Sequence, residues 1–525
     1  MICENRCRCG YTGKIAGILL VVSLLMMGGL MTVHASDAKT ITSKADLNSE
    51  DIRIGVGEGG FAEQTVEHEF PKAQRLYMSH IDGLQAVAQG KIDAFVFERN
   101  QLEYAIATGR TGVRLLDENM EEENHIAVGI SPVSKIDHLE DKLNAFIDEL
   151  KADGTLDEMH KRWVIKKDES FPDYSLPEHP EYHLTVGTTG IVPLFNYYKD
   201  NQLSGYDIEL AYRFARWLNA DLEFKVYDFK GIVPAAVSGD VDCIMAELNV
   251  TPERKESIPF SQDLFVEKVG IMVRDESAAA AGDGSFLDSI KESFDKNFIR
   301  EERWRMFLDG ILTTLLITVL SIVFGTLLGF AVFMLCRNGN PVANAITGVL
   351  NWLIRGMPLV VLLMILYYII FGGMDISGVT VSVFAFTLTF GGAVYGLLKI
   401  GVGAVEAGQY EAAYALGYSR GRTFFRIILP QALPHVIEAY QGEVVTLVKA
   451  TAIVGYIAVQ DLTKAGDIVR GRTYEAFFPL IAITIIYFVL EGMLGFLVSR
   501  IRIRISSRLG RKEKILKGVR LHDPD

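Results

Sequence analysis

Residues Glu411–Pro430 read EAAYALGYSRGRTFFRIILP and lie inside the most apolar half of a 525-residue chain. The stretch is charged and glycine-punctuated, with strongly apolar runs close on both sides. GQYEAAYALG predicts a short helix, because Ala, Glu and Leu favour one, and Gly417 is expected to end it in a tight turn. Pro430 and Pro434 are expected to bound the helix that follows. A short helix pushed out between membrane spans and closed by a turn is suited to docking in a partner's groove.

Working outward, residues 301–505 read as an all-α membrane unit. A crossing needs about 20 apolar residues. Five such runs are expected, at about 307–335, 357–373, 379–399, 435–458 and 475–499. Glu438, Glu443 and Lys449 interrupt the fourth. The chain then turns basic, from Arg500, Arg502 and Arg504 into a tail at 506–525. The positive-inside rule puts that tail in the cytoplasm, together with Arg337, Arg355 and the loop 400–434. At the other end Arg6, Arg8 and Lys14 precede the apolar run Ile15–Met31, with Val33 and Ala35 after it. This is the order of a secretory signal over 1–35, cleaved after Ala35 or retained as an anchor. An outside start and five spans return the C-terminus to the cytoplasm, so the two cues agree on a multi-pass plasma-membrane protein.

Residues 40–300 read as soluble α/β structure. DIRIGVG and IDAFVF are strands, and 61–70 is a helix. DHLEDKLNAFIDELKADGTLDEMHKRW is helical with a break at Gly154. Three prolines mark a linker at 168–183, and a second α/β unit follows at 184–274. DESAAAAGDGS opens a flexible tether at 275–300. The formal charge of −13 argues against a nucleic-acid partner. Cys3, Cys7 and Cys9 have no nearby histidine or fourth cysteine, so no metal site is expected. Cys243 and Cys336 stand alone.

The opening stretch carries E-A-A, three residues, G, nine residues, I, one residue, L-P. It supplies Glu411, Ala412, Ala413, Gly417, Ile427, Leu429 and Pro430 at full spacing. In this it resembles the inner-membrane components of ABC importers. RGMPLVV at Arg355–Val361 and LVKATAIV at 447–454 look like the polar amino acid branch. The resemblance implies a coupling helix that presses into an ATPase dimer, with Glu411 and Ala413 facing its groove. It also implies pairing of two permease chains, as a homodimer or a heterodimer. The chain has no G-x-x-x-x-G-K-[ST] loop, so ATP and Mg would belong to a separate partner, and this chain would hold no cofactor and no catalytic residue.

The soluble units resemble the type II periplasmic amino acid binding proteins, which close two lobes on a solute, but their order is inverted. LTVGTTGIVPLFNYYKD and YDFKGIVPAAVSGDVDCIMAELNVTPER look like lobe one, yet they come second. DIRIGVGEGG and IDGLQAVAQGKIDAFVFE look like lobe two, with ELKADGTLDEMHKRW as the closing helix, and they come first at 40–167. Two readings stand: a circular permutation joined through 168–183, with hinge crossings at 124–130 and 267–273, or two half-deleted receptors in tandem. By resemblance Arg254 pairs the solute α-carboxylate and Thr251 caps its helix. Glu98 takes the α-ammonium, Phe229 walls the site and Asn249 supplies hydrogen bonds. Gly60 and Phe61 open a helix whose free amides hold an anion. Ile191 stands where an aromatic is usual, Gly59–Gly60 where G-T is usual, and Glu247 where a small residue is usual. A carboxylate at Glu247 or Glu58 would favour a cationic solute if it faces the site, and would do nothing if it faces solvent.

Two rival classes share the receptor fold. A ligand-gated channel would carry a pore loop between the lobes and no docking loop. A membrane sensor would carry a signalling domain after the last span, where the sequence shows only a short basic tail.

Overall fold

The computed structural model describes residues 41–517 apart from 58–59, 109–111, 276–285, 373, 375 and 476. The signal segment 1–35, Glu58, Gly59, the opening of the tether and the last eight residues lie outside the described residues.

The first half contributes strands Arg53–Val56 (β1), Gln74–Tyr77 (β2), Ala94–Glu98 (β3), Val113–Asn119 (β4), Asn124–Ile126 (β5) and Gly129–Ile130 (β6). The second contributes Tyr182–Thr188 (β7), Ile191–Val192 (β8), Asn196–Lys199 (β9), Gln202–Ser204 (β10), Ala220–Val226 (β11), Cys243–Ile244 (β12), Phe265–Glu267 (β13) and Val269–Arg274 (β14). β1, β3 and β14 are short, nearly continuous apolar runs buried on both faces. Strands covered by helices on each side must read this way. They build two sheets, ordered β2-β1-β3-β14-β4 and β11-β7-β12-β6.

Each half therefore lends a strand to the other's sheet. β14 pairs antiparallel with β3, from Val269 opposite Glu98 to Val273 opposite Ala94. β6 pairs antiparallel with β12. Between the lobes β5 and β13 form their own two-stranded ladder, with Asn124 opposite Glu267. The first half also supplies helices Leu139–Ala152 and Thr155–His160, hinged at Gly154 with φ +79°. They lie against the second lobe, where Phe146 packs on Phe214 and the buried Trp163 indole donates to Glu209 Oε2 at 2.7 Å. Residues 168–180 have no regular structure yet are tied down, through Tyr174 Oη to Glu209 Oε1 at 2.9 Å.

Part of the expected tether 275–300 is regular structure. Phe286–Phe294 and Asp295–Ile299 are helical. Asn297 donates to Glu475 Oε2 at 2.6 Å, and Phe298 stacks on Phe307 at 4.7 Å. Phe294 and Phe298, one helical turn apart, stack on each other and give this segment a face to bury, which its polar composition conceals.

In the membrane unit Trp304–Cys336, Gly378–Gly403 and Phe477–Arg500 are each long and apolar enough to span. Two bent pairs raise the number to five if each pair is one span: Pro341–Gly356 with Leu359–Ile370 at 109°, and Arg420–Ile457 with Leu462–Thr473 at 57°. The first and third expected spans pack through small residues. A Cβ on Gly329 would stand 2.5 Å from the Gly391 carbonyl. Such close backbone approach holds helices together in lipid. Pro434 does not bound a helix as expected, because it lies inside Leu429–Ala450. The π-type turn Phe424–Ile428 comes just before. It loosens the ladder that Pro430 and Pro434 interrupt.

Candidate functional site

β3 ends at Glu98, which is 6% exposed, and the hinge sets the second lobe's 247–254 segment directly opposite. Asn249 Nδ2 donates to Glu98 Oε1 at 2.9 Å, and Asn124 Nδ2 reaches the same oxygen at 3.4 Å. Thr251 caps the helix Pro252–Ser257, accepting from the Arg254 N–H, with Pro252 in the first turn. That cap fixes Arg254, whose guanidinium donates to the Asn249 carbonyl at 2.9 Å and lies 5.3 Å from the centre of the Phe229 ring. Burial raises the Glu98 pKa, and the Asn249 hydrogen bond and the Arg254 charge offset only part of that. Burial likewise pulls Arg254 down to about 10, against the pull of Glu98.

Glu247 belongs to the same group. Its backbone is left-handed, φ +50°, and its N–H donates to Asp207 Oδ2 at 2.8 Å. Gln101, from the opposite lobe, spans the cleft: its Nε2 donates to the Pro193 carbonyl at 2.9 Å and lies 3.3 Å from Glu247 Oε1. Arg254, Glu98, Phe229, Asn249, Thr251 and Glu247 thus meet at one place. Gly60, Phe61 and Ile191 do not join this network. The Gly60 amide donates to Gly57, Phe61 opens the helix Phe61–Glu69, and Ile191 turns toward the membrane unit. Sequence reading misses Gln101, Asn124 and Glu267, since only the cross-hinge pairing brings them here.

The membrane unit touches both lobes. Lys464, on the helix Leu462–Thr473 and 2% exposed, donates to the Tyr227 carbonyl at 2.7 Å and to Asp228 Oδ1 at 3.0 Å. Tyr367 Oη donates to Asp240 Oδ2 at 2.7 Å, and Tyr368 Oη to the Gly231 carbonyl at 3.1 Å. The same helix meets the first lobe through Arg470 and Asp82, and meets the linker through Arg472 and Glu169 at 2.9 Å. Burial opposes ionisation of Glu169, but the hydrogen bond and charge of Arg472 prevail and hold its pKa at about 2. A Cβ on Gly471 would meet the Ile191 carbonyl at 2.7 Å. Beyond it Tyr474, left-handed at φ +54°, is buried among the receptor's aromatic residues with its ring 6.1 Å from that of Tyr104.

The loop Glu411–Pro430 lies elsewhere. Gly378 starts its helix against the Ile457 carbonyl, beside the receptor contacts. That helix runs from Gly378 to Gly403. At the usual helical rise its far end lies roughly 40 Å away. There Ala407–Ala415 forms the short helix and Gly417 turns it at φ +79°. Glu411, Ala412, Tyr414 and Leu416 are exposed, Leu416 at 77%, and Ile427, Leu429 and Pro430 are half-buried in the following helix. Ala413 is buried, so it faces the bundle and not a partner's groove.

Two family models match the chain. Bacterial extracellular solute-binding proteins, family 3, match residues 184–356. Binding-protein-dependent transport system inner membrane component matches 321–503. A putative glutamine transport system permease protein GlnP of Rickettsia felis is 32% identical over 194 residues, 36% of this chain and 88% of the relative. The arginine transport system permease protein ArtQ of Bacillus subtilis is 34% identical over 210 residues, 38% of this chain and 92% of the relative. Among solved structures, an amino acid ABC transporter crystallised with histidines is 30% identical, covering 42% of this chain and 99% of that one at a TM-score of 0.37.

Proposed function

The chain belongs to the inner membrane components of binding-protein-dependent transport systems, with a solute-binding domain fused ahead of its spans, and on that premise we propose that it is receptor and permease of an ATP-driven amino acid importer. The receptor, 40–274, captures a polar amino acid outside the cell. The membrane unit, 301–505, carries it inward, and the loop 405–434 couples that movement to a separate ABC ATPase dimer. The observation that carries this reading is the placement of the docking loop and the receptor at opposite ends of Gly378–Gly403, so solute and nucleotide act on the same helices from two sides of the bilayer.

In this reading Arg254 holds the α-carboxylate through its fork of donors, Glu98 and Asn249 hold the α-ammonium, and Phe229 closes the wall. The receptor is one permuted unit whose old termini are joined through 168–183. The exchanged strands β6 and β14 support this, since two independent half-receptors would not complete each other's sheets. A collinear match that starts at lobe one, residue 184, and runs on into helices instead of a second lobe is what permutation would produce. Two copies of the permease, alike or not, form the pathway, and the basic C-terminal tail is cytoplasmic.

The test is uptake of radiolabelled amino acids into liposomes that hold this chain and its co-expressed ATPase. ATP-dependent accumulation of a polar amino acid is expected. Accumulation that proceeds without ATP, or a solute-gated ion current, would overturn the reading.

A further inference from the structure

The receptor hinge concentrates acceptors without matching donors. Glu267, 3% exposed on β13, has no well-formed hydrogen bond to either carboxylate oxygen, although Asn100 and Glu247 lie beside it. Glu98 Oε2, Gln101 Oε1 and Asn124 Oδ1 are buried and unpartnered as well. Five buried acceptor atoms on four residues thus face a group that would need to bring N–H donors and positive charge. Arg254 serves Glu98 and Asn249. After burial, the groups acting most strongly on Glu247 are all acidic: Glu267, Glu98 and Asp207.

We propose that Glu247 and Glu267, with the Gln101 amide oxygen, form a side-chain subsite that selects a solute amino acid bearing a guanidinium or ammonium group. The proposal rests on the receptor reading above and names the substrate class within it. Three observations carry it. The first is the set of orphaned acceptors. The second is position: Gln101 bridges Glu247 to the Pro193 carbonyl across the cleft, so Glu247 lies between the lobes and not on the surface. The third is backbone strain, because Glu247 is held at φ +50°. A glycine would be easier to hold in that conformation, by about 1 kcal/mol. The chain keeps a buried carboxylate there instead.

A metal ion is the other source of positive charge. Among the described residues no group of three His, Cys, Asp or Glu side chains has the arrangement to hold one. A guanidinium suits the set better, because its planar donors satisfy two carboxylates and an amide oxygen together. Burial, with the charge of Glu98 behind it, lifts Glu267 to about 8 and raises Glu247 well above its ordinary value, so a bound cation would favour their ionised forms.

The experiment is calorimetry on the full chain in lipid nanodiscs with L-arginine, L-lysine and L-citrulline. Citrulline matches arginine in shape without its charge. Arginine or lysine is expected to bind at least roughly 10-fold tighter than citrulline. Glu247→Gln and Glu267→Gln are each expected to bring the ratio of arginine to citrulline affinity toward one. Citrulline binding as tightly as arginine in the unaltered chain would overturn the subsite, and this arm needs no variant to fold. So would a preference that survives both substitutions. In either case citrulline binding that depends on Arg254 leaves the receptor reading standing, whereas no binding of any amino acid sinks both.

Discussion

The two ends of the membrane unit are finished differently. At the receptor end polar groups pair across the junction: Lys464 is buried on Tyr227 and Asp228, Arg472 on Glu169, and two tyrosines reach Asp240 and Gly231. At the other end Tyr414 and Leu416 stand exposed at the tip of a nine-residue helix. Ala413 and Tyr410 anchor that helix inward, and its other face is left to solvent. One end closes on the receptor within the chain, and the other presents an exposed face that the proposed function assigns to a second one.

The largest expected effect breaks the receptor side at its solute site. Arg254→Ala removes the one guanidinium set against Phe229 and Asn249. It should cost about 2–5 kcal/mol, at least roughly 30-fold in solute affinity. Calorimetry on the full chain checks this, with circular dichroism to show that the fold survives. Affinity within twofold of the parent would remove Arg254 from the site.

Next comes the junction. Lys464→Met takes the cation from a contact buried on one side. Asp228 is partly exposed, so water recovers part of the loss. A penalty of about 1–3 kcal/mol in docking is expected. Hydrogen exchange should speed up at 227–231 and stay unchanged in β1 and β3. Uniform exchange across both lobes would mean that the junction holds the receptor together, not merely in place.

A pH series sharpens the comparison within the receptor. Glu267, Glu247, Glu98 and Asp207 all have raised pKa values, with burial as the first cause, Glu267 at about 8 and Asp207 at about 6. At these four groups the folded receptor then binds more protons than the unfolded chain between about pH 4.5 and 8. The stability these four groups contribute should be full below about pH 4.5 and fall as pH rises toward 8. Glu267→Gln should flatten the fall in melting temperature over that range. A melting temperature that rises instead would contradict the shared direction of these shifts.

The smallest effect is expected from cutting the linker. A protease site placed at the exposed stretch 178–180 should open the chain without releasing either half, because β6 and β14 remain in the opposite sheets. Gel filtration of the cleaved protein in detergent should show one particle with unchanged solute affinity. Separation of the halves would favour two tandem half-receptors.

Much of this is legible where a local rule suffices. Gly417 announces a left-handed turn, β1 and β3 announce buried strands, and GQYEAAYALG announces the short helix before that turn. The rest depends on partners far along the chain. Glu267 sits in a plain hinge strand, and only its ladder with Asn124 makes it part of the site. Leu462–Thr473 escapes sequence reading because Lys464, Asp467, Arg470 and Arg472 read as a solvated loop, while Asp228, Asp82 and Glu169 lie in the receptor, far back along the chain. Ala413 lies on the opposite face from the one expected. So short a helix shows too little periodicity to choose a face.

The central claim, that Ala407–Ala415 transmits the work of an ATPase to spans bearing a receptor at their far end, is tested most directly at Gly417. A Cβ there would meet nothing within 4 Å, but the backbone is left-handed, at φ +79°. That conformation strains any residue other than glycine, by about 1–2 kcal/mol and more for a β-branched one. Gly417→Val should therefore leave solute affinity unchanged and disturb only the turn. In liposomes with the ATPase, the ratio of solute imported to ATP hydrolysed is the quantity to measure. The account predicts that this ratio collapses in Gly417→Val while solute binding persists. An unchanged ratio would show that the loop does not couple the two.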